Sequence, residues 1–194
     1  MPRSTRNPPP PAPPRPIYFL FVGVLRYYKG LPTLIEAARQ VKARIVIVGE
    51  GPEGPALKRL AREAGCANVE FTGRVSEAEK FRLLAGCRAF VLPSQQRSEA
   101  FGMALVEAAI FDRPLVCCEI GTGTSFVNAD GETGFVVAPG DADALAGAMN
   151  RLLRDETLAR RFGAAARRRY ENLFSGEALG NAYAALYRGK GAGT

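Results

Sequence analysis

Two carboxylates and one ammonium group are the residues in this chain whose types and spacing could do chemistry. Glu99 and Glu107 stand in P-S-Q-Q-R-S-E-A-F-G-M-A-L-V-E, residues 93–107, where an apolar strand-like run ends and a helical pattern begins. Glu99 falls in the loop before that helix and Glu107 about five residues inside it, roughly 7 to 8 Å along the axis. Between them lie the unpaired N–H groups of a helix start, and Gly102 lets an anion approach them closely. A diphosphate seated on the amides near Phe101, Gly102 and Met103 would leave one carboxylate to accept from a ribose diol and the other from sugar hydroxyls. Two carboxylates beside an anion site make sense only if hydroxyl donors flank the anion, as they do in a nucleotide-sugar.

Further candidates are weaker or cancel. Lys29, followed by Gly30, can bring an ammonium group and backbone to a phosphate together. The run Gly49 to Gly54 has the G-x-G-x-x-G form of a dinucleotide loop, with Glu70 further on, and supports an NAD-binding module as the competing reading. Against it, the run follows the second strand rather than the first, and Pro52 removes an amide where a pyrophosphate would approach. Asp141-Ala-Asp143 resembles a metal-binding D-x-D, but at a helix start its simpler role is an N-cap, and no metal is expected. Histidine is absent, which removes the commonest general base and metal ligand. Cys66, Cys87, Cys117 and Cys118 form no C-x-x-C pair and read as buried thiols.

The elements that must position these groups follow from periodicity. Short apolar runs at residues 17–23, 44–48, 69–72, 89–92, 115–118 and 134–137 alternate with helical patterns, the signature of βα units on a parallel sheet. Helices are expected at about 31–41, 55–64, 76–85 and 102–111, after Asp141, and from 155 to 188 with a break at Ser175-Gly176. The fold class is therefore α/β, a Rossmann-like doubly wound sheet, with ligands outside the carboxyl ends of the strands. The domain spans residues 17–188; residues 1–16, with eight prolines, read as a linker or tail, and residues 189–194 as a flexible tail.

Bulk properties narrow the class. A 194-residue chain with 47% apolar residues can close one core. No apolar run reaches the roughly 18 to 20 residues of a membrane span and no secretory signal opens the chain, so a cytoplasmic site is expected. The +7 net charge gathers at Arg160, Arg161, Arg167, Arg168 and Arg169. Without interleaved aromatics or a helix-turn-helix cue, this reads as a solvated helix face, or one near anionic lipid, and not as a nucleic-acid surface. A nucleotide-binding module without catalysis, or a pure interaction domain, would have the same bulk properties.

Taken together, the motifs resemble the retaining GT-B glycosyltransferases of family four. The resemblance rests on S-E-A-F-G-M-A-L-V-E-A, F-V-G-V-L-R-Y-Y-K-G, V-G-E-G-P, V-E-F-T-G-R-V and G-E-T-G-F-V-V-A-P-G-D, and runs from about residue 17 to 188. It implies that Glu107 holds the ribose, that Glu99 contacts the donor sugar and that Lys29 reaches the diphosphate from the loop after Gly23. The base would rest against Arg74 and Val75. Many relatives carry arginine where this chain has Val24, and Arg26 is the candidate to supply that charge. The resemblance further implies a UDP-, GDP- or ADP-sugar donor with no other cofactor, and a second, N-terminal acceptor domain that carries the family's catalytic histidine. It also implies a glycan or lipid-linked acceptor, cell-surface polysaccharide or lipopolysaccharide being typical, and a peripheral membrane contact of the full-length protein.

Overall fold

The computed structural model describes residues 17–190; the proline-rich segment 1–16 and residues 191–194 lie outside the described residues. Six parallel strands form one sheet: β1 (Tyr18–Val22), β2 (Arg44–Val48), β3 (Val69–Gly73), β4 (Ala89–Leu92), β5 (Leu115–Cys118) and β6 (Gly134–Val137), in the order β3-β2-β1-β4-β5-β6. The central strands are covered on both faces, which is why their sequences are continuous apolar runs rather than alternating ones. All four residues of β4 and of β5 are buried, as are Phe19, Leu20 and Phe21 of β1, whereas the edge strand β3 is only partly covered.

The helices match the expected βα alternation. They are α1 (Leu31–Ala38), α2 (Gly54–Glu63), α3 (Glu77–Gly86), α4 (Met103–Ile110), α5 (Gly123–Val127), α6 (Ala142–Arg154), α7 (Glu156–Leu173) and α8 (Gly176–Lys190). Side-chain caps fix four of the starts: Ser76 Oγ accepts from Glu79 N at 3.2 Å, Asp141 from Ala144 N at 2.8 Å, Asp155 from Leu158 N at 2.8 Å and Ser175 Oγ from Ala178 N at 3.1 Å. The Ser76 box is half formed, because the Glu79 carboxylate turns to Arg82 at 2.7 Å. The α5 helix has no counterpart in the sequence pattern, and α8 runs past the boundary drawn at residue 188.

Two sequence features prove to be scaffold. The G-E-T-G-F-V-V segment turns into β6 through a buried joint, in which Thr133 Oγ1 donates to Asn128 Oδ1 at 2.9 Å and Asn128 Nδ2 donates to Phe135 O at 2.9 Å. A side chain at Gly134 would drive a Cβ to 1.7 Å from Leu115 O, so only glycine fits there. The four cysteines are free and buried, and burial pushes the Cys87, Cys117 and Cys118 thiols up to about 12. Among the described residues no helix is long and apolar enough to cross a membrane.

The arginine cluster on α7 corrects the expectation of a single solvated face. Arg167 donates to Ile110 O, and Arg169 Nη2 donates to Phe126 O at 2.6 Å, so these two clamp α7 onto neighbouring elements. Arg160 pairs with Glu156 of its own helix, which leaves Arg161 and Arg168 as the charges of the cluster with neither an ion pair nor a side-chain hydrogen bond among the described residues.

Candidate functional site

Strands β1 and β4 are neighbours although three βα units separate them in sequence, and the chain winds outward in opposite directions from this pair. That is the topological switch point, where the loops at the carboxyl ends diverge and leave a crevice. The loop after β1 carries Lys29 on a short 3-10 turn, Tyr27–Lys29; the loop after β4 carries Ser94 and Glu99. The structure brings Lys29 and Glu99 together: Lys29 Nζ is ion-paired with Glu99 Oε2, with side-chain exposures of only 13% and 12%. Ser94, fully buried, donates to the same oxygen at 3.2 Å.

The two loops interlock closely. Gln95 N donates to Tyr28 O at 2.9 Å, and Gln95 Nε2 donates to Thr33 Oγ1. Gly30, at φ 67, passes so near the β4 loop that a Cβ would lie 1.8 Å from Pro93 O. Gly23 sits beneath Lys29, an added Cβ there lying 3.9 Å from Lys29 Cε.

Helix α4 starts at Met103, at the end of the loop that carries Glu99. Its N-cap, Gly102, has φ 84, and among the described residues the amides of Gly102, Met103 and Ala104 have no hydrogen-bond acceptor. These are the orphan donors of a helix start, aimed out of the carboxyl edge of the sheet. The Phe101 ring turns away to stack edge-on against Phe174, with centroids 5.9 Å apart, so Phe101 offers the crevice its backbone. The Met103 side chain is exposed.

Glu107 stands on the half-exposed side of α4. Its side chain is 40% exposed and meets Lys80 of α3, whose Nζ lies 3.2 Å from Oε2 and 3.3 Å from Oε1. Lys80 in turn lines an open cleft of about 620 Å³ that Val24, Gly49, Glu50, Arg74 and Val75 also line. Arg74 and Val75 thus line one cleft together, and Glu107 borders it through Lys80. Arg26 is exposed, its side chain makes no ion pair or hydrogen bond among the described residues, and it is not among the residues lining this cleft; its carbonyl accepts from Lys29 N at 3.1 Å.

The G-x-G-x-x-G run is occupied by the protein itself. Leu25 N donates to Glu50 O at 2.9 Å and Glu53 N to Leu25 O at 3.2 Å, while Cβ atoms at Gly49 and Gly51 would lie 1.9 and 2.4 Å from the carbonyls of Gly23 and Leu25. These glycines allow two loops to touch, not a pyrophosphate to dock. Asp141 is a cap, and Asp143 accepts from Gln40 at 2.6 Å.

Sequence reasoning missed Ser94, Lys80, Glu50 and Glu77. The signal for Ser94 is its place directly after a buried strand; Lys80 and Glu77 sit on the helix that the Ser76 cap opens, but nothing local marks the faces they present.

A parallel sheet in this order, flanked by helices and with a lysine–carboxylate pair at its switch point, defines a Rossmann-like α/β unit. Residues 3–169 match the family model of glycosyl transferases group 1, and the chain belongs to that family. It is 48% identical over 170 residues to O-antigen chain mannosyltransferase C of Escherichia coli, covering 88% of this chain and 46% of that protein. It is 46% identical over 160 residues to D-rhamnosyltransferase WbpZ of Pseudomonas aeruginosa, covering 82% and 42%. The chain thus spans about half the length of the curated relatives it matches. Sucrose-phosphate synthase from Thermosynechococcus elongatus superposes with a TM-score of 0.80 at 30% identity, over 94% of this chain and 47% of that one.

Proposed function

We propose that this chain is the donor-binding half of a retaining glycosyltransferase, which passes a hexose from a nucleoside-diphosphate sugar to a glycan or lipid-linked acceptor when joined to an N-terminal acceptor domain. The observation that carries the reading is the Lys29–Glu99 pair standing beside the free amides of Gly102, Met103 and Ala104 at the switch point. In this reading the diphosphate lies on those amides and on Lys29, and Glu99 accepts from sugar hydroxyls. Glu107 accepts from the ribose diol, and the base enters the cleft at Arg74 and Val75. Arg26 keeps a supporting role at the diphosphate only if its exposed side chain swings inward on binding.

The reaction breaks the bond between the anomeric carbon and the diphosphate oxygen and forms one from the same face of the sugar to an acceptor hydroxyl, whose proton leaves with the diphosphate. This chain's part is to hold the donor and to stabilise the charge that develops on the leaving oxygen, by Lys29 and fixed amide dipoles. The names of the mannosyl- and rhamnosyltransferase relatives support a hexose donor and, with the O-antigen enzyme, a cell-surface polysaccharide as product. Such an acceptor places the whole protein in the cytoplasm at the membrane surface.

A nucleoside diphosphate at about 100 times its Kd should stabilise the chain by about 2.7 kcal/mol, a rise in melting temperature of roughly 5 to 10 °C. Thermal unfolding with UDP, GDP and ADP measures it, and no shift with any of the three at millimolar concentration sinks the reading. The ribose contact has its own check. Glu107→Gln should weaken nucleotide binding by about 1.5 kcal/mol, the lower end of the range for a charged acceptor because the carboxylate is partly solvated. The 2′-deoxy nucleotide should lose part of the same energy on the unaltered protein, and equal affinity of the ribo and deoxy forms rules the contact out.

A further inference from the structure

The cleft beside Val75 has a composition that discriminates among bases, an inference that rests on the donor-site reading above. Part of its lining is apolar, from Val24, Val48 and Val75 with Gly49, which suits the faces of a planar heterocycle. Its rim is charged. Glu50 and Arg74 face each other at 3.6 Å, while Lys80 is committed to Glu107. Glu77, the first residue of α3, lines the same cleft, and its side chain makes no hydrogen bond or ion pair among the described residues. The cleft thus offers a base one uncommitted acceptor-only group.

A carboxylate can accept two parallel N–H bonds at once. Guanine presents such a pair, the ring N1–H beside the 2-amino group. Uracil presents a single N–H flanked by two carbonyl oxygens, which a carboxylate would repel. Adenine and cytosine each set an unprotonated ring nitrogen beside their amino group. We propose that this cleft is a guanine site, in which the Glu77 carboxylate accepts from N1–H and from the 2-amino group, and that the donor is a guanosine-diphosphate sugar. Glu50 is the poorer candidate because Arg74 already holds it.

Titration calorimetry and thermal unfolding of the 194-residue chain with GDP, IDP, UDP and ADP test the proposal. GDP should bind at least about tenfold more tightly than UDP or ADP. IDP, which keeps N1–H but lacks the 2-amino group, should fall about tenfold below GDP. Glu77→Gln should melt like the unaltered chain without ligand, since the side chain is exposed, and should lose the difference between GDP and IDP. UDP or ADP binding as tightly as GDP overturns the guanine assignment while leaving the donor site standing. Equal binding of GDP and IDP, or an undiminished GDP preference in Glu77→Gln, overturns the role of Glu77. Protection by none of the four overturns the donor-site reading and this proposal with it.

Discussion

Lys29→Met should abolish nucleoside-diphosphate protection and destabilise the fold by about 2 to 4 kcal/mol, roughly 5 to 15 °C in melting temperature. Both effects follow from one geometry. The Lys29 and Glu99 side chains are nearly buried and ion-paired, so deleting the ammonium group leaves Glu99 with only the Ser94 hydroxyl for compensation. An unpaired carboxylate in so little solvent costs more than the pair contributed. Methionine keeps the length and apolar stem, so lost packing against Tyr28 accounts for little of the change.

The double variant Lys29→Met with Glu99→Gln separates stability from binding. Removing both charges leaves no orphan, so the melting temperature should recover most of the loss. Nucleotide protection should not recover, because the diphosphate has lost its cation. Thermal unfolding of the two single variants and the double, each with and without nucleotide, completes the cycle. Nucleotide affinity at the level of the unaltered protein in Lys29→Met would show that the lysine is a structural counter-ion alone.

The architecture was legible in the sequence because a parallel sheet writes each buried strand as a continuous apolar run and each return helix as a periodic one. The bounds of β2, β4, β5 and β6 coincide with those runs. Five-residue α5 left no trace, being too short for a helical period to show. The site was legible only as separate parts. Lys29 and Glu99 are 70 residues apart and meet because β1 and β4 are sheet neighbours, a fact of topology that no local pattern contains. Lys80 and Glu107 likewise meet between helices that follow different strands. Arg167 and Arg169 show the opposite failure: a run of like charge reads locally as a solvated face, yet both guanidinium groups are bonded to carbonyls of other elements.

Nucleotide binding without sugar transfer is the expected behaviour of this chain on its own. Holding a donor requires one side of a cleft, and the Lys29 loop, the α4 start and the Val75 cleft all lie on this unit. Transfer requires an acceptor hydroxyl aligned with the anomeric carbon and water kept out, which one open edge of a sheet does not provide. Its curated relatives are about twice as long as the stretch they share with it. Exposed Leu173, Leu179 and Tyr183, on α7 and α8, supply apolar surface of the kind a second domain would cover. Incubating the chain with a panel of nucleotide-sugars and lipid-linked acceptors should release nucleoside diphosphate no faster than the no-protein control. Adding the acceptor domain as a continuous polypeptide should raise that rate by orders of magnitude, whereas acceptor-dependent turnover by the 194-residue chain alone would show that its single Rossmann unit holds a complete active site.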